Sequence, residues 1–291
     1  MLDKKIAFVG SGAMGEAMIS GLLRQGLSRP ENLLIADPRA DRVQELHEKY
    51  GVQPFTDNNQ AVASADVVVL SVKPQRLTEV LKGLKSAVPA KALVLSIVAG
   101  ATVSKISKGL AHPAVVRSMP NTPAQISQGI TVWFPAAAVS EAQKEMAQGI
   151  LGALGEQVQV DDEGYLDMAT ALSGTGPAYI FLFMEAMIDS GVHMGFSRRV
   201  SEQLVIETIK GSVAYYEAAN KKGEAHVAAL RNQVTSPGGT TAQAIYYLEK
   251  AGFRTALSRA IWAAYQRSLE LGKETPAHLP ESNPENHSGE S

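Results

Sequence analysis

A chain of 291 residues that is 45% hydrophobic and 19% charged is globular and long enough for two domains of ordinary size. Its formal net charge of -2 and the absence of any run of about five like charges leave no electrostatic footprint for nucleic acid or for an anionic membrane. The chain has no cysteine, which excludes disulfides, thiolate catalysis and cysteine-ligated zinc, and no metal is expected.

Residues 1–5 lead straight into an apolar strand without the apolar core and cleavage site of a signal peptide. No uninterrupted apolar run reaches the roughly 18 residues that a membrane span needs, so the protein is expected to be cytoplasmic. Residues 6–9 read as a short buried strand ending in glycine, and 13–25 carry apolar residues at helical spacing before a stop at Gly26. A second strand is predicted over 33–36 and a helix over 40–50. The apolar runs 67–72 and 93–98 are of the kind found in parallel strands covered on both faces. Another strand is read at 115–118, and 131–134 and 157–160 extend the sheet. Strands alternating with helices in this way predict an α/β fold built on a doubly wound parallel sheet.

After Asp161 the texture changes, and helices are predicted over 165–172, 178–190, 197–220, 225–232, 241–251 and 253–271. Helices such as 179–187 are apolar around much of their circumference, which requires burial on several sides. In so small a helical domain a second copy of the chain is the natural source of that burial, so a homo-oligomer is expected. The tail 275–291, rich in Pro, Glu, Ser and Asn, is expected to be disordered. The expected domains are therefore 1–163, 164–274 and this tail.

Gly10-Ser11-Gly12-Ala13-Met14-Gly15 is G-x-G-x-x-G, preceded by Val9 at the end of a predicted strand and opening a predicted helix. With the acidic Asp37 about 20 residues on, it is the dinucleotide fingerprint of a Rossmann-like domain. Gly10 permits the tight turn, Gly12 lets the backbone approach a pyrophosphate, and Gly15 lets helix and strand pack closely. The helix amino terminus offers N–H groups and a positive dipole end to the phosphates. Asp37 favours a free ribose diol and hence NAD, whereas Arg39 suits a 2′-phosphate and hence NADP, so these residues leave the choice open. Val72, Lys73 and Pro74, in Ser71-Val72-Lys73-Pro74-Gln75, follow a strand at the edge where such sheets bind ligands, as do Ala99 and Asn121. In the helical half, Ser173 to Tyr179 and Thr235 to Thr241 read as irregular loops leading into helices. The second, Ser-Pro-Gly-Gly-Thr-Thr, forms a nest of N–H groups and hydroxyls suited to a small carboxylate.

The stretches FVGSGAMG, SVKPQ, SIVAG, RSMPNTPA, LSGTGPAY and VTSPGGTTAQAI make the chain resemble the pyrroline-5-carboxylate reductase family from Ile6 to about Leu271. The resemblance implies reduction of 1-pyrroline-5-carboxylate to L-proline, with NADPH preferred and NADH accepted, the last step of proline biosynthesis. It implies a Rossmann-like domain followed by an all-α dimerisation domain, with dimers able to assemble into a decamer. It carries cofactor contacts onto the Gly10 to Gly15 turn, Asn58, Val72, Lys73 and Ala99. Substrate contacts fall on Glu163, Thr240 and Thr241, with Ser236, Gly238 and Gly239 in the same nest. Thr241 is placed to hydrogen-bond the ring nitrogen, and no residue is expected to be an essential general acid. The chain departs from relatives at Asp37, often a neutral residue, and at Gln233, which is Asn in some. The β-hydroxyacid dehydrogenases would place a lysine where this chain has Ile180, and an alcohol oxidation without that base is hard to draw. A non-catalytic redox sensor would have no need of the second anion nest.

Overall fold

The computed structural model describes residues 3–273 apart from 222 and 224; the expectation for the tail 275–291 lies outside the described residues. Two compact units divide the chain. Among the described residues, one holds those up to Thr170 together with Tyr265 to Lys273, and the other lies within Ala171–Ala264.

In the first unit, strands β1 (Ile6–Val9), β2 (Leu33–Ala36), β3 (Gln53–Phe55), β4 (Val67–Leu70), β5 (Leu93–Ser96), β6 (Val115–Met119), β7 (Gly129–Pro135) and β8 (Gly155–Gln159) form one sheet. Its order is β3-β2-β1-β4-β5-β6-β7-β8. The strands β3 to β6 in that order are parallel; β7 runs antiparallel to β6, and β8 is parallel to β7. This is the doubly wound arrangement, extended at one edge, and the strand order reverses between β1 and β4.

Strands β1, β2, β4 and β5 are buried on both faces, which explains why they are continuous apolar runs. Ile6 and Phe8 of β1 join a core with helices α1 (Ala13–Arg24) and α2 (Ala40–Tyr50) through Met18, Leu22, Val43 and Leu46. The alternate residues Ala7 and Val9 face a second core, where α3 (Asn58–Val62), α4 (Pro74–Leu84) and α5 (Val103–Leu110) contribute Val62, Leu77, Leu81 and Ile106. Helix α6 (Glu141–Gly152) adds Ala147, Ile150 and Leu151 to the first core and begins with a reciprocal cap between Ser140 and Gln143.

Strand register corrects two expected boundaries. The runs predicted over 67–72 and 93–98 end at Leu70 and Ser96. Val9 pairs with Leu70 and Leu70 with Ser96, and Gly10 then turns away at φ 93°, so the neighbouring strands lose their ladder at the same level. Strand β3 has no counterpart in the sequence reading because it is short, exposed and contains Pro54, which is tolerable only at a sheet edge.

The second unit is helical. Its elements are α8 (Gly176–His193), α9 (Arg198–Ala219), α10 (Val227–Gln233), α11 (Thr240–Lys250) and the first part of α12 (Phe253–Lys273), and α7 (Tyr165–Ala169) precedes them in the chain. The expected loop over 173–179 is instead helical on both sides of Thr175. A π-turn over Thr170–Gly174 follows α7, and Pro177 sits in the first turn of α8, where a missing N–H costs no hydrogen bond. Helices α8 and α9 pack where Gly191 admits Ser201, whose Oγ would lie 2.6 Å from a Cβ at that glycine. Ile180, Phe181, Leu182 and Phe183 are each exposed by 41% or more. Four consecutive residues circle a helix, so among the described residues this turn of α8 is apolar and exposed on every side.

Helix α1 passes α6 at Gly21, where an added Cβ would lie 2.6 Å from the Ala153 carbonyl oxygen. Gly21→Ala is therefore expected to destabilise the protein by about 1–3 kcal/mol despite alanine's better helix propensity. Denaturant unfolding of the two proteins checks this.

Candidate functional site

The sequence-derived cofactor residues gather at the carboxyl ends of the parallel strands. Gly10 follows β1, Asp37 follows β2, Val72 and Lys73 follow β4, Ala99 follows β5 and Asn121 follows β6, while Asn58 opens the helix after β3. Such an edge, at the point where strand order reverses, is where open α/β sheets bind ligands.

The three glycines of the turn show three different constraints. At Gly10 a Cβ would lie 2.8 Å from the Ser71 carbonyl oxygen, and φ is already in the left-handed region. At Gly15 it would lie 2.9 Å from the Gly10 carbonyl oxygen. At Gly12 it would meet nothing within 4 Å. The first two serve packing; the third keeps open the space above the backbone that a pyrophosphate must enter. Gly12 is also the N-cap of α1 and no side chain caps that end, so the first-turn N–H groups remain for an anion. A dinucleotide fits this cradle.

Ser11 is held from both sides. Its N–H and Oγ donate to Asp37 Oδ2 at 3.2 and 2.9 Å, and its carbonyl accepts from Arg42 Nε at 3.0 Å. Asp37 Oδ1 accepts the Arg39 backbone N–H at 3.1 Å and Nε at 3.0 Å. Burial alone would raise the Asp37 carboxyl, but the hydrogen bonds from Arg39 and Ser11 outweigh it and hold the group below the usual carboxylate range. Arg42 also pairs with Glu16 and, at 2.8 Å, with Glu45. Glu16 receives Lys49 at 2.8 Å and the Tyr50 hydroxyl at 3.0 Å, so three residues of α2 tie down the first turn of α1.

The other cofactor candidates are less constrained. Lys73 is exposed and occupies the N-cap position of α4 without a side-chain capping bond, ahead of Pro74, which fixes the helix start. Asn58 is half-buried in the first turn of α3, and Ala99 is half-buried beside Gly100, against which Leu271 packs. Asn121 has a structural task, its Oδ1 accepting the Ile130 N–H at 3.0 Å.

The substrate candidates fall in both units. Glu163 belongs to the first. Its Oε1 accepts the Val103 N–H at 2.7 Å, at the start of α5, and Arg117 Nη1 at 3.1 Å. Ser236, Gly238, Gly239, Thr240 and Thr241 belong to the second, at the amino end of α11. Gly238 takes φ 69°, and Gly239, the uncapped N-cap, already donates its N–H to the Ser236 carbonyl at 3.1 Å. The nest is therefore narrower than the sequence implied, with the free N–H groups beginning at Thr240. Thr241 is half-buried and Thr240 exposed.

Arg117 escaped the sequence reading. It lies buried in β6 and binds Glu163 and Asp167, the latter at 2.9 Å, and Ser268 of α12 donates to the same Asp167 Oδ1 at 2.8 Å. The signal was present: an arginine inside the apolar strand Val115–Met119 requires buried acceptors. It draws α7, α12 and the start of α5 around the residue that the resemblance assigns to substrate.

This strand order, with a G-x-G-x-x-G turn at the reversal and an open approach over its central glycine, defines a dinucleotide-binding protein of the doubly wound class. Comparison with known proteins refines that. A family profile described as pyrroline-5-carboxylate reductase dimerisation matches residues 163–271, and one described as NADP oxidoreductase, coenzyme F420-dependent, matches residues 5–100. A pyrroline-5-carboxylate reductase of Pseudomonas aeruginosa is 40% identical over 275 residues, covering 94% of this chain and 99% of that protein. One from Synechocystis is 38% identical over 269 residues, covering 92% and 98%. The crystal structure of Plasmodium falciparum pyrroline carboxylate reductase with NADP bound superposes with a TM-score of 0.84 at 32% identity, covering 94% of this chain and 99% of that one. The chain belongs to the pyrroline-5-carboxylate reductase family.

Glu16 gives the site a pH signature. Burial raises its pKa, but hydrogen bonds from Lys49, Arg42 and Tyr50 lower it further, from an ordinary 4.5 to about 2. A folded-state pKa below the unfolded one adds stability that is present above pH 4.5 and is lost as pH falls toward 2. Wild type should therefore lose more stability across that interval than Glu16→Gln, as denaturant midpoints measured at a series of acid pH values would record.

Proposed function

We propose that this protein catalyses the NAD(P)H-dependent reduction of the cyclic imine 1-pyrroline-5-carboxylate to L-proline, the last step of proline biosynthesis, with NADPH preferred and NADH accepted. The observation that carries this reading is the joint presence of a cradle for a dinucleotide at Gly10 to Gly15 and an uncapped, glycine-led helix start at Gly239 to Thr241. We assign the first to a cofactor domain over 1–163 and the second to a helical dimerisation and substrate domain over 164–274.

The bound nicotinamide supplies the hydride. What remains for the protein is mainly positioning, because the ring nitrogen takes its proton readily and the resulting iminium carbon needs no acid to become electrophilic. The N–H groups of Thr240 and Thr241 hold the substrate carboxylate at the positive end of α11. The Thr241 hydroxyl hydrogen-bonds the ring nitrogen, and Glu163, fixed by Arg117, is kept as a substrate candidate of the sheet unit on the family resemblance. Val72, Lys73, Ala99 and Asn58 line the cofactor.

Oligomerisation is part of this reading. Among the described residues, the stretch 165–193 is long and apolar enough to cross a membrane by length and composition, and little of it is buried within the chain. It lies inside the matched dimerisation region, so we assign its cover to a second subunit of a cytoplasmic homodimer, with assembly up to a decamer.

Turnover of the imine with NADPH or NADH tests the function directly, and its absence would refute it. Thr241→Ala should lower kcat by about 10- to 100-fold while leaving the thermal midpoint nearly unchanged, the scale of one hydrogen bond used in the transition state. Gly12→Val should abolish dinucleotide binding, followed by cofactor fluorescence, without unfolding the protein, because its side chain fills the open space over the turn.

A further inference from the structure

The residue after β2 is where a dinucleotide-binding sheet usually presents a carboxylate to the adenosine ribose, and here that residue is Asp37. Its environment argues against that task. A ribose acceptor needs a lone pair facing solvent, whereas a carboxylate offers about four acceptor directions in all. Oδ1 already takes the Arg39 N–H and Nε, and Oδ2 takes the Ser11 N–H and Oγ, with Arg39 Nη2 at 3.4 Å as a further donor. The Asp37 side chain is 9% exposed, and the Arg39 side chain that lies over it is 59% exposed. What faces solvent at the end of β2 is therefore a cation, held by two points of attachment, with its remaining N–H groups directed away from Asp37.

Arg42 does not compete for the same role. Its side chain is mostly buried and engaged by Glu16, Glu45 and the Ser11 carbonyl. Of the two arginines, only Arg39 combines exposure with a fixed orientation.

We propose that Asp37 is a positioning residue and Arg39 the receptor for a 2′-phosphate: the aspartate spends its oxygens on fixing Ser11 of the phosphate turn and on aiming Arg39, so that preference for the 2′-phosphorylated dinucleotide resides in the pair. The proposal rests on the reading of the Gly10 to Gly15 turn as a dinucleotide site and adds which residue discriminates between the two cofactors. It reverses the ordinary meaning of an aspartate at this position. A ribose-binding aspartate repels a 2′-phosphate, so removing it improves NADPH relative to NADH. A positioning aspartate does the opposite when removed, because Arg39 loses its aim.

The test is equilibrium titration of NADPH and NADH by cofactor fluorescence, without imine, on wild type, Arg39→Ala, Asp37→Ala and the double variant. Arg39→Ala should weaken NADPH by about 10- to 100-fold, the scale of a charge-assisted hydrogen bond, and leave NADH within about 3-fold. Asp37→Ala should lower the preference for NADPH, and the double variant should show little further loss of preference than Arg39→Ala alone, since the two act as a unit. A rise in NADPH preference in Asp37→Ala would overturn the proposal, as would an unchanged preference in Arg39→Ala. Should Asp37→Ala fail to fold, Asp37→Asn serves, with a smaller fall in preference expected and a rise again refuting the idea. A wild-type protein that binds neither dinucleotide would overturn this proposal and the proposed function together. Imine turnover with an unchanged preference in Arg39→Ala would overturn this proposal alone.

Discussion

The carboxyl edge of the sheet depends on one close approach, the contact between the backbone of Gly10 and the carbonyl of Ser71 where β1 and β4 end side by side. Any side chain at position 10 would enter that carbonyl, and the left-handed φ that lets the chain escape is one that residues with a Cβ avoid. Because the turn leaves the sheet there, β4 and β5 stop at the same level and the loops after them emerge on one edge. The residues that sequence reasoning assigned to the cofactor occupy that edge because the strands end in register, although they are far apart in the chain.

Around this steric constraint lies a network of charge. Helix α2 reaches the first turn of α1 through Arg42, Lys49 and Tyr50, all converging on Glu16, while Asp37 and Arg42 hold Ser11 between them. The turn is thereby ordered by the protein's own groups, and the cost of organising it does not fall on the binding step. A second network, centred on Arg117, does the same for Glu163, its buried guanidinium satisfied by two carboxylates. Buried ion pairs of this kind add little to net stability compared with apolar packing, but breaking one leaves an uncompensated charge, which gives them value as devices for fixing geometry.

The helical unit poses a different physical problem. Its helices are too apolar for a surface and too few to bury one another, as the exposed run Ile180 to Phe183 shows. The sheet unit closes its two cores with helices from its own chain, whereas among the described residues the helical unit leaves large apolar side chains exposed, in the segment that matches the family's dimerisation region.

The sequence by itself determined the elements whose signal is local. Continuous apolar runs marked β1, β2 and the start of β4 and β5, helical spacing marked α1 and α2, and G-x-G-x-x-G marked the tight turn between β1 and α1. Each of these depends on neighbours within a few residues or on a spacing that can be counted along the chain. Tertiary structure decided what depends on pairing. Strand ends followed register, Pro54 found a place in a strand because that strand is an edge, and the loop expected over 173–179 became helix because a π-turn absorbed the irregularity. The partners of Asp37 and of Arg117 belong to the same class. An aspartate at the end of a strand looks the same in sequence whether its oxygens face a ribose or are covered by Ser11 and Arg39, because hydrogen bonds across 26 residues are made by the fold and leave no periodic trace in the chain.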